Sequence, residues 1–382
     1  VKKEICMTRI NSVVVTQHAE NAAFLWLLRD GAVCEPHYSL RDLAKLDSRV
    51  EANLDGLRIA GDAGWNICNE FYVWDQPGEI FAAAVLAFET LNVDRMEFVV
   101  GTGIKSPELS RGLVSAFGWL TLEQAEPLIA SMLSHESAVA RAIGIAASAV
   151  HRRDPGDELR KALQDSDPLL TARAAKAAGE LGRTDLIPLL QDLLKSGDEK
   201  CRFYAAWSGT ILKMDAAYQV LQTFAVPEGL YAEEAIEVAA RGMDISSTQA
   251  WQKELAADAK TLRLGIICAG AMGDPALIPW LIAQMENPEL ARPAGESLTM
   301  INGVDIAYED LNGDKPEGFE AGPTDNPENE DVAMDPDEDL PWPKPELIQK
   351  WWDKNKAQFK DGQRYLVGKP ISSENLMSVL KT

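Results

Sequence analysis

The unit that decides the fold is clearest at residues 184–212, which read TDLIPLLQDLLKSGDEKCRFYAAWSGTIL. Its first half carries leucines spaced as on one face of a helix. These leucines are Leu186, Leu189, Leu190, Leu193 and Leu194. Ser196-Gly197-Asp198 then interrupts the pattern, as turn residues do. A second helical pattern, rich in small residues, runs from Cys201 to Leu212. The stretch therefore predicts two helices joined by a tight turn.

The same unit recurs about every thirty residues along the chain. Pro127, Pro188 and Pro279 stand in similar contexts and lie 61 and 91 residues apart, and we expect each to begin a first helix. Arginines mark the same period, with separations of 30, 32, 29, 61 and 29 residues. They are Arg111, Arg141, Arg173, Arg202, Arg263 and Arg292. A fixed period of this length indicates stacked helical pairs.

This pattern resembles HEAT repeats. We therefore predict an all-α fold, an α-solenoid of about seven HEAT-like helical repeats with helical N- and C-terminal caps. Such stacks bury a continuous core and present an extended concave face to partners. The predicted organisation is an N-terminal helical cap at 1–92, the solenoid at 93–302, an acidic flexible loop at 303–340 and a C-terminal cap at 341–382.

Composition narrows the possible partners and the cellular compartment. The net charge of −22 argues against binding to nucleic acid or to an anionic membrane. The five cysteines are scattered without a CxxC pair, so we expect reduced thiols, with Cys201 and Cys268 in the core. The start lacks a long apolar region typical of a signal peptide, and no apolar stretch reaches the length of a membrane span. A cytoplasmic location is therefore expected.

The acidity is concentrated after the repeats. Residues 309–339 contain 13 acids and one base, Lys315, which is a net charge of −12. Because such a stretch buries little apolar surface, we expect it to be solvated, mobile and dispensable for folding. Weak binding of a hard cation and contact with a basic partner are the alternatives, although the spacing of an EF-hand loop is missing. We expect Trp342 to anchor the end of the loop.

Several motifs extend the resemblance over nearly the whole chain. They are FLWLLRD at 24–30, HY at 37–38, LDGLRIAG at 54–61, GAMGDP at 270–275, LPWP at 340–343, WW at 351–352 and RYLVG at 364–368. With these motifs the chain resembles a family of proteobacterial HEAT-repeat proteins of unassigned function. Members are often encoded beside type VI secretion components. The resemblance implies that association and assigns no catalytic residue.

Other candidate motifs favour structural interpretations. GTGIKS at 101–106 lacks the spacing of a phosphate-binding loop, so we interpret it as a turn between helices. The four histidines are too far apart in sequence to indicate a zinc site. The regular arginines are interpreted as capping turns or bridging repeats, with a binding stripe as the alternative. Trp351 and Trp352 cannot share one helix face, and structural packing is favoured for both.

No clustered nucleophile, base and orienting group is recognisable, so we expect no catalytic residue, metal or cofactor. The candidate partner-binding residues combine aromatic and charged side chains, as interface hot spots do. They are Tyr204, Trp207, Glu233, Glu234 and Arg263. The leading hypothesis is a non-enzymatic scaffold that binds a protein, as adaptor or chaperone for a secreted effector in a type VI secretion context. The alternatives are an immunity protein that neutralises a basic toxin, an enzyme with a site between cap and solenoid, and a structural assembly subunit.

Overall fold

The computed structural model describes residues 10–71, 76–323 and 333–381. By their internal contacts the residues form two compact units, Val1–Ser208 and Gly209–Thr382, called here the N-terminal and C-terminal units. The regular secondary structure of the described residues is helical, apart from one small hairpin and an isolated bridge. No helix in these ranges combines the length and the apolar character needed to cross a bilayer.

Seven consecutive helix pairs confirm the predicted repeats. The pairs are α5 (Val93–Gly103) with α6 (Pro107–Trp119), α7 (Leu122–Leu133) with α8 (Ala138–Val150), α9 (Asp157–Ala162) with α10 (Pro168–Glu180), α11 (Ile187–Leu193) with α12 (Glu199–Ile211), α13 (Asp215–Gln222) with α14 (Ala232–Gly242), α15 (Ile245–Ala256) with α16 (Leu262–Met272), and α17 (Ile278–Gln284) with α18 (Pro288–Asn302). The even-numbered member of each pair is called the second helix. The all-α solenoid class predicted from the period is correct.

Four helices precede the repeats and pack onto the first of them. They are α1 (Ser12–Ala32), α2 (Leu40–Ala60), α3 (Asp62–Phe71) and α4 (Pro77–Thr90). Phe81 of α4 is fully buried, stacked on Trp26 of α1 at 5.4 Å and edge-on to Trp119 of α6 at 5.3 Å between ring centroids. The aromatic contacts therefore join the N-terminal helices and the first repeat in one apolar core.

Small residues allow successive second helices to approach closely. In the N-terminal unit, the Ser208 hydroxyl of α12 donates to the Ala175 carbonyl of α10 at 2.6 Å and accepts from the Gly179 amide at 3.2 Å. In the C-terminal unit, the Ser297 hydroxyl of α18 donates to the Ile266 carbonyl of α16 at 3.0 Å, beside Gly270. A Cβ atom at either glycine would lie 2.9 Å from the Cα atom of the facing serine. Glycine is therefore required at these contacts.

Side chains cap the starts of two second helices, and two of the three regular prolines lie where the sequence predicts them. The side chains of Asp167 and Asn287, each followed by proline, accept backbone N–H bonds at the starts of α10 and α18. Pro188 and Pro279 lie in the first turns of α11 and α17. Pro127 instead lies inside α7, so the prediction that it begins a first helix is wrong. The residues just before Pro127 are already α-helical and belong to α7. The residues before Pro188 and Pro279 instead form short 3-10 helices, so α11 and α17 begin next to their prolines.

The C-terminal segment packs on the last repeats within its own unit. It contains α19 (Pro345–Asn355), β1 (Tyr365–Leu366), β2 (Lys369–Pro370) and α20 (Ser373–Val379), and the two strands pair antiparallel. The Tyr365 amide donates to the Gly273 carbonyl at the end of α16 at 2.8 Å. Trp352 is buried and Trp351 is half-buried against the same core, which confirms the packing interpretation for both.

Part of the acidic segment is bound to arginines of second helices. The Asp337 carboxylate accepts two hydrogen bonds from the Arg263 guanidinium of α16, at 2.7 and 2.8 Å. Asp335 forms an ion pair with Arg292 of α18 at 2.7 Å, and Arg292 also donates to the Asp337 carbonyl at 2.8 Å. The Asp337 side chain is only 7% exposed. The expectation of a fully solvated segment is therefore wrong here, because ion pairing offsets the cost of burying the carboxylates.

An aromatic pair covers the same arginine. The Arg292 guanidinium lies 4.3 Å from the Trp342 ring centroid and 5.5 Å from that of Phe319, and these two rings meet edge to face. The Gly313 amide donates to the Trp342 carbonyl at 2.8 Å. These contacts confirm that Trp342 anchors the end of the loop. The mobility of the remaining segment stays a prediction, and residues 324–332 lie outside the described residues.

We predict that Gly270→Ala destabilises the protein by about 1–3 kcal/mol, because the added methyl group would overlap the backbone of α18 at Ser297. Chemical denaturation of the full chain measures the change. Gly101→Ala in α5 is the matched control, because a Cβ atom there meets no neighbour. The control should be neutral or stabilising by up to about 1 kcal/mol. Equal stability of Gly270→Ala and wild type would contradict the close-packing account.

We predict that Asp337→Asn lowers the free energy of unfolding by about 2–4 kcal/mol, because it removes the negative charge and one of the two carboxylate oxygens that accept hydrogen bonds from the Arg263 guanidinium. Thermal and chemical unfolding measure the effect, and limited proteolysis should cut faster near residue 340. Glu317→Gln removes an equal charge from an exposed position of the same segment and should change stability by less than about 0.5 kcal/mol. If both variants match wild type, the acidic segment does not contribute to folding.

Candidate functional site

The two predicted aromatic residues lie on α12, in the N-terminal unit. Tyr204 and Trp207 are both half-buried. The Lys176 ammonium of α10 lies 4.9 Å from the Tyr204 ring centroid and 5.8 Å from the Trp207 ring centroid. One cation therefore faces two aromatic rings on the neighbouring second helix, a cation–π arrangement. These rings belong to the helix surface as well as to the packing between helices.

The three predicted charged residues lie in the C-terminal unit. Glu233 and Glu234 are exposed in the first turn of α14. A Glu233 carboxylate oxygen lies 3.6 Å from the Arg263 Nε atom. Arg263 is held mainly by Asp337 of the acidic segment, and this hydrogen bonding raises the pKa of Arg263. The chain's own carboxylate thus occupies the arginine that the sequence assigned to a partner, and a five-residue patch stays a prediction.

The regular arginines bind either backbone carbonyl oxygens of turns or carboxylates. Arg141 and Arg202 donate to carbonyl oxygens of the turns before their helices, at Glu136 and Ser196, which confirms the turn-capping interpretation for them. Arg173 instead pairs with Glu180 of the same helix at 2.8 Å, and Arg111 pairs with Asp30 at 2.7 Å. Arg263 and Arg292 bind the acidic segment. The repeat position therefore fixes where each arginine lies but not which partner it has.

A groove in the N-terminal unit crosses four successive second helices. It has a volume of about 330 Å³, and α6, α8, α10 and α12 all contribute to its lining. Its apolar floor consists of Val114, Val139, Ala142, Ile143, Ala146 and Leu169. Its polar lining includes Arg111, Arg173, Lys176, Lys200, Glu180 and Tyr204. We call this surface the basic groove, since four basic side chains and one acidic side chain line it.

The cations of the basic groove are only partly neutralised. Arg111 and Arg173 have the carboxylate partners named above. Among the described residues, neither Lys176 nor Lys200 forms an ion pair. The Arg173 Nη1 atom is buried and has no hydrogen-bond partner among the described residues. The two lysines therefore leave positive charge in the groove that an anionic ligand can neutralise.

Sequence reasoning missed Lys176 and Lys200 as candidate binding residues, and it considered Arg173 only within the alternative of an arginine stripe. Lys176 stands alone among alanines in the stretch AAKAAG at 174–179, and that interruption of a small-residue helix was the available signal. Lys200 precedes Tyr204 by one helical turn. Their convergence on one groove depends on how α10 and α12 are set side by side. Neither spacing nor composition gives that arrangement.

The remaining candidate motifs have structural roles. Gly101 and Gly103 end α5, and the Ser106 hydroxyl caps α6 by accepting from the Leu109 amide at 3.2 Å, which confirms the turn interpretation. His151 hydrogen-bonds the Phe117 carbonyl at 2.8 Å, and His18 hydrogen-bonds Asn53 at 3.0 Å. Among the acids that could collect a cation, those at 325–331 lie outside the described residues, and Asp335 and Asp337 are bound to arginines. Asp339 is a candidate as well, and cation binding by the segment stays a prediction.

The described cysteines are free thiols, of which Cys34 is exposed and three lie in the core. Cys68, Cys201 and Cys268 are buried, which confirms the core placement expected for the last two. Burial raises the pKa of each of these three thiols to about 12. Because the thiolate is the nucleophile, these cysteines are unsuited to nucleophilic catalysis at neutral pH.

The comparison with protein-family models agrees with the repeat architecture. Residues 156–240 match the family model described as HEAT repeats, a range that begins just before α9 and ends within α14. No curated protein matches the chain. Among solved structures, the chain is similar to a crystal structure of an engineered protein at 13% sequence identity, with a TM-score of 0.35, over 75% of this chain and 94% of that one. The chain therefore contains a segment that matches HEAT repeats, and the seven helix pairs extend an all-α solenoid of HEAT-like repeats beyond that segment.

Proposed function

We propose that this chain is a non-enzymatic scaffold that binds a protein partner through the basic groove. The observation that carries the proposal is the combination of an apolar floor with Lys176 and Lys200, which have no ion-pair partner in the described structure. Half-buried Tyr204 borders the same groove. Apolar surface supplies binding energy and the charged rim supplies specificity, which is the usual division of roles at protein interfaces. HEAT repeats suit this role because their stacked helices present extended binding surfaces.

The biological setting that we propose is type VI secretion, with the chain as adaptor or chaperone for an effector. The support is the resemblance of the motifs at 24–30, 54–61 and 340–343 to proteins encoded beside such systems. An immunity role would use the acidic segment to occlude a basic toxin. Asp335 and Asp337 are already bound to arginines of the same chain, which leaves fewer acids for that purpose. The adaptor role is therefore the better supported of the two.

We predict that the double variant Lys176→Glu/Lys200→Glu recovers at least about tenfold less partner than wild type in a pull-down against the products of neighbouring genes. Reversing both charges places two carboxylates beside the apolar floor. The matched control is Lys195→Glu/Lys253→Glu, because both lysines are exposed and neither lines the groove. It should recover as much partner as wild type. Circular dichroism should show unchanged helix content in all variants.

The candidates Glu233 and Glu234 are tested in the same pull-down. The variant Glu233→Lys/Glu234→Lys should bind partner normally if the basic groove is the binding surface. Loss of capture by this variant, with normal capture by Lys176→Glu/Lys200→Glu, would move the site to the C-terminal unit. Equal recovery by every variant would refute a role for either surface.

A further inference from the structure

We infer that the basic groove binds an acidic, amphipathic peptide segment, one in which carboxylates alternate with apolar side chains. This inference rests on the proposed function and specifies the chemistry of the partner. It begins from the charge of the lining, which contains four basic side chains, Arg111, Arg173, Lys176 and Lys200, and one carboxylate, Glu180. Asp30, outside the lining, pairs with Arg111, and Glu180 pairs with Arg173, so the two lysines carry the excess positive charge. In a chain with a net charge of −22, such a surface is opposite in sign to the protein as a whole. Charge complementarity therefore favours an acidic ligand.

The positions of the cations indicate carboxylates rather than a diffuse negative surface. The Lys176 ammonium faces two aromatic rings of α12 and has no anionic partner among the described residues. Arg173 uses one terminal nitrogen for Glu180 and leaves the other without an acceptor. A guanidinium presents paired donors that match the two oxygens of a carboxylate. An incoming Asp or Glu would pair with the Lys176 and Lys200 ammonium groups, which have no carboxylate partner among the described residues.

The floor of the groove requires apolar side chains in the same ligand. Ile143 and Ala142 are buried at the base, with the half-buried Val114, Val139 and Leu169 around them. A free phosphate or a nucleic-acid backbone would cover this floor with polar groups and gain nothing from it. A peptide with leucine or phenylalanine between its acids would bury the floor and meet the cations together. The groove volume of about 330 Å³ accommodates a few such side chains.

The C-terminal unit contains the same chemistry within one chain. There, the acidic stretch Asp335-Pro336-Asp337 is bound by Arg263 and Arg292 on two successive second helices. An aromatic ring, Trp342, lies against Arg292 as Tyr204 lies against Lys176. The second helices of this protein thus bind an acidic segment where the sequence supplies one. In the N-terminal unit the cations are present and the segment would come from a partner.

Fluorescence anisotropy of labelled probe peptides tests the inference on the full chain. Three probes of about 12 residues share the same leucine and phenylalanine positions and carry Asp/Glu, Asn/Gln or Lys between them. We expect the acidic probe to bind at least about tenfold more tightly than the amide probe, and the lysine probe to bind least. Raising the salt concentration from about 0.05 M to about 0.5 M should weaken binding of the acidic probe only.

The variants of the pull-down serve here as well. Lys176→Glu/Lys200→Glu should weaken the acidic probe at least about tenfold, whereas Lys195→Glu/Lys253→Glu should change its affinity less than about twofold. Equal binding of acidic and amide probes, or equal effects of both variants, would overturn the inference. If the probe experiment fails but capture of the natural partner still depends on Lys176 and Lys200, the proposed scaffold function stands. Only the inference that the partner segment is acidic is then rejected. If capture does not depend on them, the proposed function itself fails.

A second copy of the chain is the remaining occupant to be tested. Sedimentation of the protein without probe should show no self-association that Lys176→Glu/Lys200→Glu abolishes. A dimer that dissociates in this variant would assign the groove to the chain's own acidic residues and would overturn the inference of a separate partner.

Discussion

The close approach of successive second helices is the constraint on which the structure depends. It is set where a serine hydroxyl bonds to a carbonyl of the preceding helix beside a glycine, at Ser208 with Gly179 and again at Ser297 with Gly270. A Cβ atom at either glycine would press on the backbone of the next helix. Alanines fill most of the buried positions of α8 and α10. Small side chains at the contact positions thus allow the helices of successive repeats to stack.

That stacking also decides what is left for the surface. Since the contact faces hold small residues, the larger side chains of the second helices, such as Arg173, Lys176 and Tyr204, project toward the groove between helices. Their charges then have to be met by another part of the chain, by solvent or by a partner. The C-terminal unit meets its arginines with Asp335 and Asp337, and the burial of Asp337 shows how complete that pairing is. The N-terminal unit leaves two lysines unpaired within the described residues.

The fold could be predicted from sequence because its information is local. Each repeat carries its own leucine stripe, turn and small-residue helix, so a period of about thirty residues gave seven helix pairs in their observed positions. The prolines were less reliable, since Pro127 stands in a first helix that starts earlier than its counterparts. The contacts of the acidic segment were not accessible. Asp337 lies 74 residues from Arg263, and no local pattern in an acidic stretch marks the carboxylates that will be buried. The same limit applies to Lys176 and Lys200, which meet only when α10 and α12 are packed.

Site-specific photo-crosslinking tests most directly whether the basic groove is the surface that binds a partner. A benzophenone amino acid replaces Tyr204 at the groove, and in a parallel sample it replaces Glu123, which is exposed on the first helix α7. After illumination with the neighbouring gene products, the account predicts a covalent adduct from the Tyr204 position only, joined to an acidic, apolar segment of the partner. An adduct from Glu123 alone, or adducts of equal yield from both positions, would contradict it.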